Sequence, residues 1–434
     1  MIRAGAKQTG ETPARTLFGH PPGLTVLFTT QMWAEFSFFG LQALLVYYMT
    51  KQLGFSQAKS SLIYGAYGAA AFFSPFFGGL IADKWLGRTP SVIAGGVMMM
   101  FGHFAMAFPA LLFPALALVA LGNGLFIPPL AVQVGSLYAD DDPRKAYAYS
   151  AYYMGINLGG LLAPLVCGTL GELYGWHWGF TAAGVGMAIG LIGYCSFLRL
   201  LPPEPNRTVL AAETQPDAAP AIRRHVAILL LMTAMVVLFR VGYEQSGNVI
   251  ALWVRDFTDR SIDLFGRRLT IPATWFQSIN PLLIILGTPV LIRIWRAGRA
   301  SETTAHLLRR MAIGCVIAAS AMLVMVLAAV VSGPGGARVS SLWVFAYFLL
   351  LTLGELFVIP VGLTLIESLA PVRFASMAMG AWYIAKFLGS LLAGIMGAYW
   401  LVIPAWAFFC LGMSSTVIAA VSLYSMSRLL RLPD

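Results

Sequence analysis

Five ionisable side chains interrupt long apolar stretches of the sequence: Glu35, Arg240, Glu244, Glu355 and Lys386. A charge in the middle of a membrane span costs free energy, so such residues usually face a binding site or an ion pathway. Carboxylates there can take up protons or pair with amino groups, and cations can pair with carboxylates. These residue types therefore predict the handling of protons and charged solutes inside a membrane.

The elements that must position these charges are membrane-spanning helices. Of the 434 residues, 59% are hydrophobic and only 11% are charged, which is not the composition of a water-soluble domain. A spanning helix needs roughly 20 apolar residues, whereas a membrane-barrel strand needs about 10. We predict twelve helical spans, at 23–50, 59–82, 89–108, 110–138, 146–171, 179–200, 225–254, 271–295, 311–332, 341–369, 374–399 and 401–427.

The positive charges follow the predicted loops. With both termini cytoplasmic, 19 of the 28 Lys and Arg residues fall in inner segments and 7 in outer loops, and the other two are Arg240 and Lys386. This bias is the positive-inside pattern. It predicts a multi-pass protein of the inner (cytoplasmic) membrane with both ends in the cytoplasm, and it explains the net charge of +10 without a nucleic-acid partner.

A linker rich in Pro, Ala and charge divides the spans into six and six. We place it at 202–223, between an N-terminal six-helix bundle at 1–201 and a C-terminal six-helix bundle at 224–434. Two similar bundles that rock around a site near the bilayer midplane are typical of secondary transporters. Channels can also have paired halves, so the layout favours a transporter without excluding a channel.

Several segments carry a family resemblance. They include TQMWAEFSFFG in span one, YYMGINLGG in span five, YEQSGN in span seven, QSIN in span eight, GELFVIP in span ten and GAWYIAK in span eleven. Together they resemble the proton-dependent oligopeptide transporter family of the major facilitator superfamily, in the family's order, from about residue 28 to residue 396. The resemblance implies a twelve-helix all-α transporter that takes up di- and tripeptides with protons by alternating access.

The resemblance also implies roles for individual residues. Asn157 and Asn280 match positions that contact the peptide backbone, Glu355 matches the position that meets the peptide amino group, and Glu244 belongs to the proton-linked network. Trp382 matches a further cavity position. The aromatic residues that would line side-chain pockets are Phe38, Phe39 and Phe72. Without the resemblance, polar residues of this kind join helices and aromatic residues pack between them.

Span one departs from the family pattern. The usual Glu-x-x-Glu-Arg motif is replaced by Gln31, Ala34 and Glu35, so both usual carboxylates and the arginine are missing. Gln42 replaces a second arginine, and Ile127 replaces the usual lysine of span four. The part of the pocket that recognises a substrate carboxylate in the family is therefore absent.

Two cations could restore this function. We hypothesise that Arg240 or Lys386 binds a substrate carboxylate while Glu355 accepts an amino group, because both ends of a zwitterion lose water in a cavity. Glu244 is the first candidate for proton coupling and Glu35 the second. The alternative is structural: Arg240 neutralises Glu244, and Lys386 pairs with Glu35 or Glu355.

The sequence thus favours a secondary active transporter for di- and tripeptides, with proton symport. One alternative is a carrier of a modified peptide, amino-acid conjugate or drug-like molecule with altered or lost coupling, and another is a non-transporting peptide sensor. No catalytic constellation, metal-ligand spacing or cofactor fingerprint is visible, so we expect neither an enzyme nor a cofactor. The expected partners are a small peptide, protons and membrane lipid, and we expect a monomer.

Overall fold

The computed structural model describes residues 19–139, 142, 144–203, 219–264, 266–297, 303–369 and 375–430. The N-terminal bundle consists of α1 (Pro22–Lys51), α2 (Gln57–Ile81), α3 (Arg88–Ala105), α4 (Leu112–Ser136), α5 (Arg144–Ala163), α6 (Thr169–Leu173) and α7 (Trp176–Ser196). The C-terminal bundle consists of α8 (Ala219–Tyr243), α9 (Val249–Phe257), α10 (Ile279–Ala297), α11 (Thr304–Ser332), α12 (Ser341–Leu369), α13 (Ala375–Gly397) and α14 (Ala405–Leu429).

These helices account for the twelve predicted spans. By length and composition, nine helical segments of the described residues can cross a membrane, and α13 contains a shorter apolar segment at Trp382–Gly397. The two remaining spans are α1, with 30 residues, and α3, with 18 residues. At 1.5 Å per residue, even the shorter one approaches the thickness of a bilayer's hydrocarbon core, about 30 Å.

Two spans contain an internal interruption among the described residues, and a third begins with an irregular turn. Span five passes from α5 to α6 through a π-helical turn at Pro164–Gly168, where proline lacks the N–H that a regular helix needs. Span seven passes from α8 to α9 through a 3-10 turn at Glu244–Gly247, and span eight begins with a 3-10 turn at Ala273–Ser278. The predicted spans were continuous, so these interruptions are a finding of the structure.

The linker lies mostly outside the described residues, at 204–218. Helix α8 begins at Ala219, inside the range of 202–223 predicted for the linker. Pro220 is compatible with this start because the first turn of a helix leaves its N–H groups unbonded.

Short strands lie in the outer loops, on the side opposite the cytoplasm. β2 (Ser261–Leu264) pairs antiparallel with β3 (Arg267–Thr270) as a hairpin after span seven. β1 (Thr258–Asp259) pairs parallel with β4 (Val339–Ser340), which precedes span ten. The strands tie the outer ends of neighbouring spans of the C-terminal bundle together.

The apolar core lies between helices of each bundle and continues across the outer half of the molecule. Val92, Phe126 and Met187 are fully buried and hold α3, α4 and α7 together on the cytoplasmic side of the N-terminal bundle. In the C-terminal bundle Trp253 stacks on Phe257, with 4.8 Å between ring centroids. Many other large apolar side chains of the helices are exposed at the surface, as expected for helices that meet lipid.

The outer halves of the two bundles approach each other closely along α2 and α13. A Cβ atom added to Gly65 would lie 2.6 Å from the Cα of Gly394, so both helices need a residue without a side chain at this contact. Nearby, the Ser61 hydroxyl donates a hydrogen bond of 2.8 Å to Oδ1 of Asn248. The outer end of the space between the bundles is therefore closed.

A carboxylate of the N-terminal bundle strengthens this closure. Glu172, in α6, accepts hydrogen bonds from the backbone N–H of Ala273 and Thr274 and from the Thr274 hydroxyl, at 3.0, 2.8 and 2.7 Å. It thereby caps the free N–H groups at the start of span eight from the opposite bundle. The Tyr47 hydroxyl donates to the carbonyl oxygen of Ala251 at 2.8 Å.

The contacts of α2 with α13, of Glu172 with the start of span eight and of Tyr47 with Ala251 all lie in the outer half of the molecule. The bundles thus meet on the outer side, and closure on one side is a feature of the end states that an alternating-access carrier needs.

Candidate functional site

A cavity of about 370 Å³ lies between the bundles, and all five intramembrane ionisable residues line it. Glu35 comes from the middle of α1, Arg240 and Glu244 from span seven, Glu355 from α12 and Lys386 from α13. Four spans of both bundles therefore bring together charges that are far apart in the sequence.

Arg240 and Glu244 form a buried ion pair. The Nη2 group of Arg240 donates to Oε1 of Glu244, one helical turn further along, and both side chains are about nine-tenths buried. The guanidinium also lies over the rings of Tyr243 and Phe72, 4.9 and 5.3 Å from their centroids. A Cβ on Gly389 would meet the Cβ of Arg240 at 2.3 Å, so α13 must have glycine there. The structure thus contains the neutralising pair that was the structural alternative for Arg240.

Glu355 is held by neutral donors on neighbouring helices. The Tyr243 hydroxyl donates to its Oε1 at 3.1 Å, and Nδ2 of Asn280 donates to its Oε2 at 2.8 Å. Asn280 also reaches the Thr352 hydroxyl at 2.9 Å. A carboxylate oxygen can accept more than one hydrogen bond, so Glu355 keeps acceptor capacity for an amino group.

Lys386 has no carboxylate oxygen within 4.0 Å among the described residues. Its ammonium lies over the rings of Phe72 and Tyr383, 5.0 and 5.7 Å from their centroids. The repulsive charge of Arg240 and the attractive charges of the three cavity carboxylates act on it through space. The direct pairing with Glu35 or Glu355 that we considered is therefore not formed in this conformation, and the ammonium is available to a ligand.

Glu35 occupies a different environment, in the N-terminal bundle. Its Oε1 accepts a hydrogen bond of 2.7 Å from Nε2 of Gln31, whose Oε1 in turn accepts one of 2.8 Å from the Tyr152 hydroxyl. Phe38 follows one turn later on the same helix and contacts Phe39, 5.7 Å away between centroids. Within the described part of the chain, Glu35 thus accepts a hydrogen bond from a neutral amide and shares a helix face with aromatic side chains.

Asn157 lines the cavity, and its Nδ2 donates to the Tyr153 carbonyl oxygen of its own helix at 3.0 Å. Trp382 does not line the cavity. It is buried against α12, where a Cβ on Gly362 would lie 2.8 Å from the indole Cζ3. Residues four apart on a helix are offset by about 40°, which is enough to turn Trp382 into the bundle while Lys386 faces the cavity.

The remaining predicted site residues, Phe38, Phe39, Phe72 and Asn280, also line the cavity. Sequence reasoning missed several polar residues that line the same space: Asn123, Tyr152, Tyr153, Tyr243 and Tyr383. Four of them are tyrosines that flank named residues inside the motifs YYMGIN, YEQ and GAWYIAK, so motif adjacency could have identified them. Gln42 and Ile127, where the family usually has cations, line the cavity as well.

The acidic run before span five is a separate feature at the cytoplasmic surface. Asp142 is paired with Arg144, whose Nη2 lies 2.7 Å from Oδ2, and hydrogen bonds from Arg144 lower the pKa of Asp142 below its ordinary value. Asp140 and Asp141 lie outside the described residues. No cluster of His, Cys, Asp and Glu that could hold a metal ion occurs in residues that the structure describes.

Comparisons with known proteins give a consistent result. Residues 27–394 match the Major Facilitator Superfamily. The chain is 33% identical to the peptide transporter YePEPT of Yersinia enterocolitica, over 90% of both chains, and 31% identical to a di-/tripeptide transporter of Lactococcus lactis, over 86% of this chain and 88% of the relative. A crystal structure of a peptide transporter POT in complex with sulfate superposes with a TM-score of 0.86 at 28% identity, over 96% of both chains. The chain therefore belongs to the major facilitator superfamily and, within it, to the proton-dependent oligopeptide transporter family.

Proposed function

We propose that this protein carries di- and tripeptides across the inner membrane together with protons, by alternating access to the central cavity. It acts as a monomer in the lipid bilayer and carries out no chemical conversion of its substrate. The observation that carries the proposal is the convergence of five intramembrane charges on one cavity between two bundles. Its volume of about 370 Å³ falls in the range of small-ligand sites, about 300–1,000 Å³.

The peptide termini bind to opposite charges of the cavity. Glu355 accepts the amino group. Hydrogen bonds from Tyr243 and Asn280 hold the Glu355 carboxylate in position for this contact. Lys386 is the better anchor for the carboxylate, because Arg240 is already paired with Glu244. Arg240 contributes by keeping the Phe72 ring and Glu244 in position.

The neutral part of the peptide contacts the polar and aromatic lining. Asn157 and Asn280 bind its backbone amide groups, and Phe38, Phe39 and Phe72 surround its side chains. Trp382 supports this wall from within the C-terminal bundle. Proton coupling belongs to Glu244 and Glu35, the two carboxylates that do not bind a peptide terminus.

Uptake by purified protein in liposomes tests the function. We expect saturable accumulation of labelled dialanine and trialanine when an inward proton gradient is imposed, and little accumulation when the gradient is removed with an uncoupler. Empty liposomes and excess unlabelled dialanine are the controls. The membrane potential is varied separately, because a carrier that moves net charge responds to it.

Other results would assign other functions. Saturable exchange without gradient-driven accumulation would mean a peptide carrier without coupling. Flux that neither saturates nor accumulates would indicate a channel. Binding without flux would indicate a sensor, and neither binding nor flux would refute peptides as the substrate.

A further inference from the structure

The charges that line the cavity do not balance. Arg240 and Glu244 neutralise each other as an ion pair. Of the remaining lining residues, Lys386 carries one positive charge, whereas Glu35 and Glu355 carry one negative charge each when ionised. A zwitterionic peptide uses Lys386 for its carboxylate and Glu355 for its amino group. One carboxylate, Glu35, is then left without a partner in a cavity that has lost much of its water.

An uncompensated carboxylate in such a place is costly, so it must gain a positive charge. A proton can supply it. A cationic group on the substrate can supply it equally well, because both remove the net negative charge.

The surroundings of Glu35 suit a basic side chain. Glu35, Phe38 and Phe39 lie on one face of α1, because residues three and four apart on a helix are neighbours. Phe38 is stacked on Tyr67 of α2, with 5.9 Å between centroids. Aromatic rings beside a carboxylate can hold the methylene groups of a lysine side chain and attract its ammonium.

We propose that Glu35 is a specificity-determining residue that takes either a proton or the cationic side chain of the peptide. This inference rests on the proposed peptide transport. Neutral peptides bind with uptake of one proton at Glu35, and peptides with a lysine or arginine side chain bind there without one. The chain thus selects how many protons accompany each substrate by the substrate's own charge.

Few other charged or titratable groups surround Glu35, so proton uptake at this subsite can be assigned to one residue. The cation that acts on it is Lys386 of α13, and the other titratable groups around it are Tyr67 of α2, Tyr152 of α5 and Tyr383 of α13. Tyrosine hydroxyls stay neutral below about pH 8, since their ordinary pKa is about 10. Between about pH 5.5 and pH 7.0 these tyrosines stay neutral and the peptide amino group, whose ordinary pKa is about 7.7–8.0, stays mostly protonated, so we assign proton uptake on binding in this range to Glu35.

Binding calorimetry on the purified full chain tests the proposal with Ala-Ala, Ala-Gln and Ala-Lys. Titrations in two buffers of different ionisation enthalpy give the protons taken up per peptide bound. We expect uptake approaching one proton for Ala-Ala and Ala-Gln as the pH rises, and close to none for Ala-Lys. The Kd of the neutral peptides should then rise with pH, toward about tenfold per unit where Glu35 is ionised in the free protein, while the Kd of Ala-Lys stays within about twofold.

Substitutions locate the effect. Glu35→Gln should make the binding of Ala-Ala independent of pH and weaken Ala-Lys relative to Ala-Gln by about tenfold or more, whereas Glu35→Asp should keep both properties in part. Lys51→Gln, which removes a charge from the exposed outer end of the same helix, is the matched control and should leave both unchanged.

Different results would contradict the role of Glu35 and the proposed peptide transport. Equal proton uptake for Ala-Ala and Ala-Lys in the unmodified protein would overturn the role of Glu35 and leave peptide transport standing. The same conclusion would follow if Glu35→Gln kept the pH dependence. Binding of none of the three peptides would overturn the proposed function and this inference with it. The unmodified protein decides the question even if a variant fails to fold.

Discussion

The two bundles face the same cavity with unequal charge. Among the described lining residues, the N-terminal bundle contributes one acidic side chain, Glu35, and the C-terminal bundle contributes Arg240, Glu244, Glu355 and Lys386. In the family pattern the N-terminal bundle carries the cations that recognise a carboxylate, but here Gln42 and Ile127 hold those positions. The C-terminal bundle alone thus contains a carboxylate and a cation outside its ion pair, Glu355 and Lys386, and the proposed binding of both peptide termini requires these two groups.

The largest expected effect comes from breaking the ion pair of the C-terminal bundle. Arg240→Gln leaves Glu244 buried without its partner, which should destabilise the protein by about 3–5 kcal/mol. Thermal unfolding in detergent measures this. The double variant Arg240→Gln/Glu244→Gln should recover most of the loss, and Glu35→Gln in the N-terminal bundle should change stability by less than about 1 kcal/mol. Equal destabilisation by the single and double variants would mean that Arg240 acts through packing alone.

Removing the free cation should affect binding more than stability. Lys386→Gln should raise the KM for dialanine by about 10- to 100-fold, because a hydrogen bond to a charged group contributes about 1.5–3 kcal/mol. Uptake into liposomes measures the KM for dialanine, and dialanine amide is tested as a competitor. The amide lacks the carboxylate that Lys386 binds, so its affinity should not depend on Lys386. Lys386→Arg should retain most activity. A similar loss for dialanine and its amide would refute the assignment of Lys386 to the carboxylate.

Placing a cation in the N-terminal bundle should restore part of the dialanine affinity that Lys386→Gln loses. Ile127 lines the cavity in α4, at the position where the family usually has lysine. In the Lys386→Gln background, Ile127→Lys should lower the KM for dialanine again by about tenfold, since it offers the carboxylate a charge-assisted partner. Ile127→Met in the same background is the control for side-chain size. No recovery in a folded double variant would show that the carboxylate cannot reach the N-terminal bundle.

The smallest expected effect concerns the support of Glu355. Tyr243→Phe removes the hydroxyl that donates to Oε1 of Glu355, which should weaken dialanine binding about fivefold, or about 1 kcal/mol. Competition assays with dialanine and N-acetyl-dialanine measure it. The acetylated peptide lacks the amino group that Glu355 binds, so its weaker affinity should not change. An equal change for both peptides would place Tyr243 outside amino-group recognition.

Much of this architecture follows from the sequence for a clear physical reason. Hydrocarbon excludes charge, so the apolar runs and the distribution of Lys and Arg predict twelve spans and their orientation, and the fold confirms the spans. Span ten was predicted at 341–369, and α12 occupies the same residues. The internal turn of span seven at Glu244–Gly247 was not predicted, because short apolar and polar stretches with glycine do not reveal which tertiary contacts replace the lost helical bonds.

The site was predictable as a set of residues more than as a set of contacts. The five ionisable residues and three of the four predicted aromatic residues line one cavity, as the cost of burying a charge suggests for the ionisable ones. Which charges pair was left open by the spacing alone: Arg240 and Lys386 both had possible carboxylate partners, and only Arg240 contacts one in the structure. The orientation of Trp382 was not accessible either, because a 40° difference around a helix decides it.

The outer closure has a consequence for how the sequence can change. Several of its hydrogen bonds end on main-chain atoms: Tyr47 donates to the carbonyl oxygen of Ala251, and Glu172 accepts from the N–H of Ala273. Every residue has a main-chain carbonyl and every residue except proline has a main-chain N–H, so only one partner of each bond depends on a particular side chain. Positions such as Ala251 and Ala273 are free to vary in evolution as far as these bonds are concerned. Related sequences can therefore differ at the residues that contribute only main-chain atoms while the outer end of the cavity still closes.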